Sequence, residues 1–244
     1  HTFKEFKTCF TLNSMHETET NDLSFEYNYL DLINFQSSNI SNGIFYRLEL
    51  LSNSDSKEQF VAKSLESSLE DYSKSEIKNF VREIKIVSQL NHPSIMKYIG
   101  LSQIDDLSGI PAIIVEYLPN GSYYSYKKKI NDISDESKEE VIKWTETKKL
   151  IYFFGISAGM TYLHSHNIIH RDLKPDNIFL DDYLFPKIGD FGLSKEIKDG
   201  SEHARSDSNV GSPAFMAPEI FERFEYSKAG DVYAFSILLY EITT

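Results

Sequence analysis

Residues 170–180, His-Arg-Asp-Leu-Lys-Pro-Asp-Asn-Ile-Phe-Leu, constrain this chain more than any other stretch. Ile168 and Ile169 precede it, and Ile178, Phe179 and Leu180 close it. Short apolar runs bounded by turn residues read as buried strand. Between them stand a His, an Arg, two Asp, a Lys and an Asn. The fold must therefore hold a concentrated polar turn against its own core, and a tight turn between buried strands fixes side chains rigidly.

The residue types point to a chemistry. Asp172 is suited to act as general base or to orient a hydroxyl nucleophile. Lys174 would neutralise a nearby anionic oxygen. Asn177 is a neutral oxygen ligand that suits a hard cation such as Mg²⁺. A further carboxylate, Asp190, follows in Gly-Asp-Phe-Gly, where Gly189 and Gly192 permit unusual backbone angles. A carboxylate and an amide on one divalent ion, beside a base and an ammonium, suit phosphoryl transfer. That reaction needs positioning and charge neutralisation more than covalent chemistry.

The rest of the chain reads as two halves. Residues 1–23 are mixed and polar and read as a poorly ordered lead-in. Short β-type runs follow in Tyr-Leu-Asp-Leu-Ile (29–33), Gly-Ile-Phe-Tyr-Arg-Leu-Glu-Leu-Leu (43–51) and Gln-Phe-Val-Ala-Lys-Ser-Leu (59–65). Ile77, Phe80, Ile84 and Val87 recur at helical spacing and predict a helix over roughly 73–90, stopped by Asn91-His92-Pro93. Residues 110–118 predict a buried strand, which Pro119-Asn120-Gly121-Ser122 breaks, a hinge between lobes. The charged stretch 127–140 reads as a solvated loop. A buried helix is predicted near 149–166, with Trp144 and the aromatics near 152–154 in the core. The last apolar stretch, 231–242, reads as a helix. No internal repeat is present.

Several classes are excluded or disfavoured. The net charge of −12 argues against a nucleic-acid or anionic-membrane surface. One cysteine, Cys9, cannot form an internal disulfide framework, so a reducing, cytoplasmic setting is expected. No segment reaches the ~18–20 apolar residues of a membrane span. The chain opens at His1 without a signal-peptide pattern, and the missing Met suggests a trimmed fragment.

His-Arg-Asp-Leu-Lys-Pro-Asp-Asn resembles the catalytic loop of the eukaryotic protein kinases. Asp-Phe-Gly (190–192) resembles their metal-binding loop, and Ala-Pro-Glu (217–219) the end of their activation segment. Lys63 in Val-Ala-Lys resembles the lysine of their third strand, and Glu83 stands where the glutamate of their first long helix would. Asp231 resembles the aspartate that opens a later helix. The match runs from about residue 24 to 244. Asp-Leu-Lys-Pro-Asp-Asn and Gly-Ser-Pro-Ala-Phe-Met-Ala-Pro-Glu resemble the serine/threonine pattern, and Leu-Asn-His-Pro-Ser-Ile (90–95) is similar to the tyrosine-kinase-like group.

The resemblance implies an α+β bilobal fold. A small antiparallel-sheet lobe with one helix spans 24–116, a hinge spans 117–121, and a partial, mostly helical lobe spans 122–244 without its last helices. It implies a protein serine/threonine kinase using ATP and Mg²⁺. Asp172 would meet the substrate hydroxyl, Lys174 the γ-phosphate, and Lys63 the α- and β-phosphates, with Glu83 pairing to Lys63. Asn177 and Asp190 would hold the metal. Gly43, Phe45, Val61, Glu116, Leu118 and Phe179 would complete the nucleotide site, while His170 and Phe191 would be structural. An upstream kinase acting on Ser208, or next Ser206, would control the 194–212 segment through Arg171. The final helix, which further helices cover in the family, would leave this chain alone inactive or poorly soluble.

One motif departs from the family pattern. Where a glycine-rich loop covers the phosphates, this chain has Ser38 and Ile40 in place of the first two glycines and keeps Gly43. Phe45 and Val61 replace smaller residues in the adenine roof. These changes predict weak ATP binding. They also define the alternative, a pseudokinase that keeps the fold as a binding or scaffolding module.

Overall fold

The computed structural model describes residues 29–30, 35–42, 46–65, 71–102, 112–131, 145–198, 200–205 and 210–243. They form two units. One takes the described residues up to Ser88 together with Tyr98–Tyr117; the other takes Gln89–Lys97 and Leu118 onward.

The first unit is built on a six-stranded sheet. Its strands are β1 (Tyr29–Leu30), β2 (Gln36–Asn42), β3 (Tyr46–Ser52), β4 (Gln59–Leu65), β5 (Tyr98–Ser102) and β6 (Ile113–Glu116), in the order β1-β5-β6-β4-β3-β2. All neighbours are antiparallel except β1, which adds two residues parallel to β5. One face closes over Leu51, Ala62, Ala112 and Ile114, with Phe35, Phe60 and Ile99 packed against them. Of the expected strand 29–33, Tyr29–Leu30 is strand and residues 31–33 lie outside the described residues, while β2 forms from Gln, Ser and Asn around the single apolar Ile40, with little strand signal of its own.

Helix α1 (Lys74–Val87) lies in the same unit. Ser73 caps it: its hydroxyl accepts from the Glu76 amide, while the Glu76 carboxylate accepts from the Ser73 amide. This reciprocal pair satisfies two N-terminal donors that the helix cannot. The expected stripe is real, since Phe80, Ile84 and Val87 are buried, and Glu83 is buried among them.

The second unit is mostly helical. It contains α2 (Tyr123–Asn131), α3 (Glu146–Ser165), α4 (Pro218–Arg223) and α5 (Lys228–Thr243). Its strands are the short pairs β7 (Ile168–Ile169) with β10 (Lys195–Glu196), β8 (Ile178–Leu180) with β9 (Pro186–Ile188), and β11 (Ala204–Arg205) with β12 (Glu225–Tyr226). A turn at Leu118–Gly121, with Gly121 at φ 68°, leads into α2. Helix α3 starts at Thr145, whose hydroxyl accepts from the Lys148 amide.

Two sequence expectations need correction. Residues 127–131 are not loop but the end of α2, where Lys128 and Lys129 sit favourably in the last turn near the negative end of the helix dipole. Of the aromatics near 152–154, Tyr152 is buried but Phe154 is 76% exposed, because adjacent helical positions point different ways. Trp144 and residues 132–144 lie outside the described residues. Val232, Tyr233 and Tyr240 of α5 are exposed, while Ala234, Leu238 and Ile242 are buried. Among the described residues no helix is long and apolar enough to cross a membrane.

Candidate active site

In the second unit β7 delivers the chain into the polar turn, and the 3₁₀ turn Pro175–Asn177 returns it to β8. Asp172 is buried, and both of its carboxylate oxygens are occupied. Oδ1 accepts from the Ser212 amide at 2.8 Å. Oδ2 accepts from the Lys174 ammonium at 2.8 Å and from Asn177 Nδ2 at 3.1 Å. Asn177 Nδ2 also donates to the Asp172 carbonyl at 2.8 Å, so it braces the turn from inside. Lys174 donates a second bond, to Ser212 Oγ at 2.8 Å. Base, ammonium, amide and hydroxyl therefore form one connected set.

His170 is fully buried, the packed core residue that was expected. Its Nδ1 accepts from the Asp172 amide at 3.3 Å, which leaves Nε2 to donate to the Gly189 carbonyl at 3.1 Å. Its ring meets Phe191 edge-on at 5.3 Å. Asp231 accepts from the His170 amide at 2.8 Å and the Arg171 amide at 2.9 Å, and pairs with His164 Nε2 at 2.9 Å. Two such bonds hold Arg171 at φ 68° and its neighbour in place, a left-handed backbone that is costly outside glycine unless the surroundings fix it. The Arg171 side chain donates to the Leu193 carbonyl and lies over the Tyr226 ring.

The β8–β9 hairpin carries the metal candidates. Its register pairs Ile178 with Ile188, and the Gly189 amide donates to the Asn177 carbonyl at 2.9 Å. Asp190 follows directly, exposed and at φ 56°. A Cβ on Gly189 would come within 2.9 Å of both Met96 and the Phe179 ring, so this approach of chains requires glycine. Both side-chain bonds of Asn177 run through Nδ2, which leaves its amide oxygen to ligate. That oxygen and the Asp190 carboxylate are the hard donors Mg²⁺ prefers. Among the described residues no group of three or more His, Cys, Asp or Glu could hold a metal. A cation here would rest on this mixed pair.

In the first unit β4 places Lys63 opposite Leu48 and Ile113. Its ammonium meets Glu83 Oε1 of α1 at 2.7 Å and lies 4.5 Å from the Tyr46 ring centroid. Val61, half-buried, pairs with Leu50 and Val115. Glu116 ends β6 opposite Phe60. In β2, Ser38 faces Leu50 in the ladder, and Ile40 falls at a bulge, half exposed. Gly43 and Phe45 lie outside the described residues, as do Ser206 and Ser208. In the second unit Leu118 is buried and Phe179 half-buried.

Ser212 and Tyr226 were not picked out by sequence reasoning. Ser212 stands in Gly-Ser-Pro-Ala-Phe, and a hydroxyl just before a proline at that point was the available signal. Tyr46, stacked under Lys63, and Tyr226 carried none.

The protein kinase domain family matches residues 36–244, and the chain belongs to that family. It is 34% identical over 170 residues to Cysteine-rich receptor-like protein kinase 42 of Arabidopsis thaliana, covering 68% of this chain and 24% of that protein. Serine/threonine-protein kinase CTR1 of Arabidopsis thaliana is 34% identical over 178 residues, 72% of this chain and 20% of its own length. Serine/threonine-protein kinase VIK of the same plant is 36% identical over 175 residues, 68% of this chain and 36% of its own length. The chain thus spans only about a fifth to a third of these relatives. A protein kinase domain of this family uses ATP, generally with Mg²⁺.

Proposed function

We propose that this chain is the catalytic domain of a protein serine/threonine kinase, moving the γ-phosphoryl group of ATP to a hydroxyl of a protein. The observation that carries the proposal is the connected set of Asp172, Lys174, Asn177 and Ser212. The substrate oxygen forms the new bond to the γ-phosphorus as the bond to the bridging oxygen of ADP breaks, and the hydroxyl proton passes to Asp172. Lys174, tied to Asp172 and Ser212, offsets negative charge on the transferred group. Lys63, with Glu83, takes the α- and β-phosphates. Val61, Glu116, Leu118 and Phe179 are assigned to the rest of the nucleotide, with Gly43 and Phe45 as its lid. Asn177 and Asp190 would hold Mg²⁺, which when bound neutralises phosphate oxygens. The names of relatives support serine and threonine as acceptors, and the scaffolding alternative is not favoured, since the whole polar set is kept. A single cysteine fits work in the cytoplasm, and phosphorylation of Ser208 or Ser206 by an upstream kinase is the proposed control.

The test is transfer of labelled phosphate from Mg-ATP to a generic protein substrate, followed by acid hydrolysis. Phosphoserine and phosphothreonine are expected. Nucleotide binding without transfer to any substrate would leave the binding-module alternative standing, and phosphotyrosine alone would overturn the acceptor class.

A further inference from the structure

We infer that Tyr226 is a positioning residue for Asp172, acting through the segment Val210–Ser212; the inference rests on the kinase assignment above. Tyr226 is 2% exposed, in β12, with its main chain paired to Ala204. Its phenol makes two bonds to one residue: it accepts from the Val210 amide at 2.6 Å and donates to the Val210 carbonyl at 2.9 Å. A hydroxyl that both accepts and donates on the same residue fixes that residue's rotation as well as its distance, which one bond cannot do.

The next links are short and stiff. Gly211 follows at φ 108°, and a Cβ there would lie 2.5 Å from the Arg171 carbonyl, so the chain grazes the catalytic turn at this point. Ser212 comes next, with its amide on Asp172 Oδ1 and its hydroxyl under Lys174. Fixing Val210 therefore fixes where the Ser212 donor points, and that donor orients the oxygen of Asp172. The Tyr226 ring also carries the Arg171 guanidinium at 4.9 Å from its centroid, and Arg171 adjoins Asp172. The stretch from Tyr226 to Asp231 thus grips the catalytic turn twice. Asp231 holds its main chain from one side, and Tyr226 holds the segment that bonds its carboxylate from the other.

Tyr226→Phe removes both phenol bonds and keeps the ring; Tyr226→Leu removes the ring as well. Hydrogen exchange of a peptide spanning 210–212 and steady-state kinetics are measured on the whole protein. For the Phe variant, amide protection at Val210 and Ser212 should fall about tenfold, the weight of two modest hydrogen bonds. The value of kcat should fall by a similar factor with the KM for ATP unchanged, and the Leu variant should lose more. Wild-type exchange or wild-type kcat in the Phe variant overturns the inference. So does a uniform loss, in which exchange rises throughout the protein and the KM for ATP rises with it. If the wild-type protein transfers no phosphate, the kinase assignment fails, and the exchange arm still decides whether Tyr226 anchors the segment.

Discussion

Glu83 and Asp172 are both buried carboxylates, and they are held in opposite ways. Glu83 meets the end of a long lysine side chain reaching from a strand to a helix. Asp172 meets a main-chain amide, a side-chain amide and an ammonium, and each of those donors is bonded to, or is part of, another member of the set. The lysine contact depends on one flexible stem and on how α1 packs against the sheet. The Asp172 contacts depend on backbone positions that close around one turn. A group that positions a reacting atom gains from the second arrangement, because small displacements there cost rate steeply.

The sharpest break in this comparison is Asp172→Asn. It should lower the single-turnover rate of phosphoryl transfer by ~10²–10⁴-fold while nucleotide affinity barely changes. A mutant transferring at the wild-type rate would remove Asp172 from the chemistry. Next in size, Glu83→Ala takes from the Lys63 ammonium the carboxylate it meets at 2.7 Å. Truncating one side of such a buried pair costs about 3 kcal/mol, and denaturant unfolding should register it. An unchanged midpoint would mean that the strand–helix pair carries little stability.

Ser73→Ala tests the first unit at its helix end and should cost about 1 kcal/mol. The hydroxyl and amide of Ser73 lower the pKa of Glu76 below the ordinary glutamate range. A depressed carboxyl contributes stability above its unfolded pKa and loses it as the pH falls through the folded value. The difference in melting temperature between Ser73→Ala and wild type should therefore be full at neutral pH and shrink in acid. Smallest of all, Ser38→Gly with Ile40→Gly should tighten ATP by a few-fold, read by calorimetry, because glycine lets backbone approach phosphates more closely. No gain would point to Phe45 and Val61 as the limiting residues.

What the sequence disclosed follows the same division. Strand β4 has the bounds its apolar run predicts, and α1 follows its stripe, because burial of one face writes a local period. The catalytic turn was legible because its residue types are dense and their order is fixed. Strand β2 was not: Gln36–Asn42 is polar apart from Ile40, and its pairing with β3, not its own propensity, makes it a strand. Helix α2 hid behind its lysines, although the buried Tyr123 anchors its first turn. Ser212 and Tyr226 were missed as site residues because their partners lie far along the chain, at Asp172 and Val210. Only the path of the backbone brings them together.

Asp231 also imposes an order in time. The amides of His170 and Arg171 have their acceptor on a residue made 61 and 60 positions later. While the chain leaves the ribosome, the turn that carries Asp172 is synthesised long before the carboxylate that satisfies it. Until α5 begins, those donors have water or a wrong partner. A nascent chain from which Asp231 has not yet emerged would thus carry a catalytic turn that is complete in sequence but unformed in structure, and the domain would become competent only once Asp231 docks.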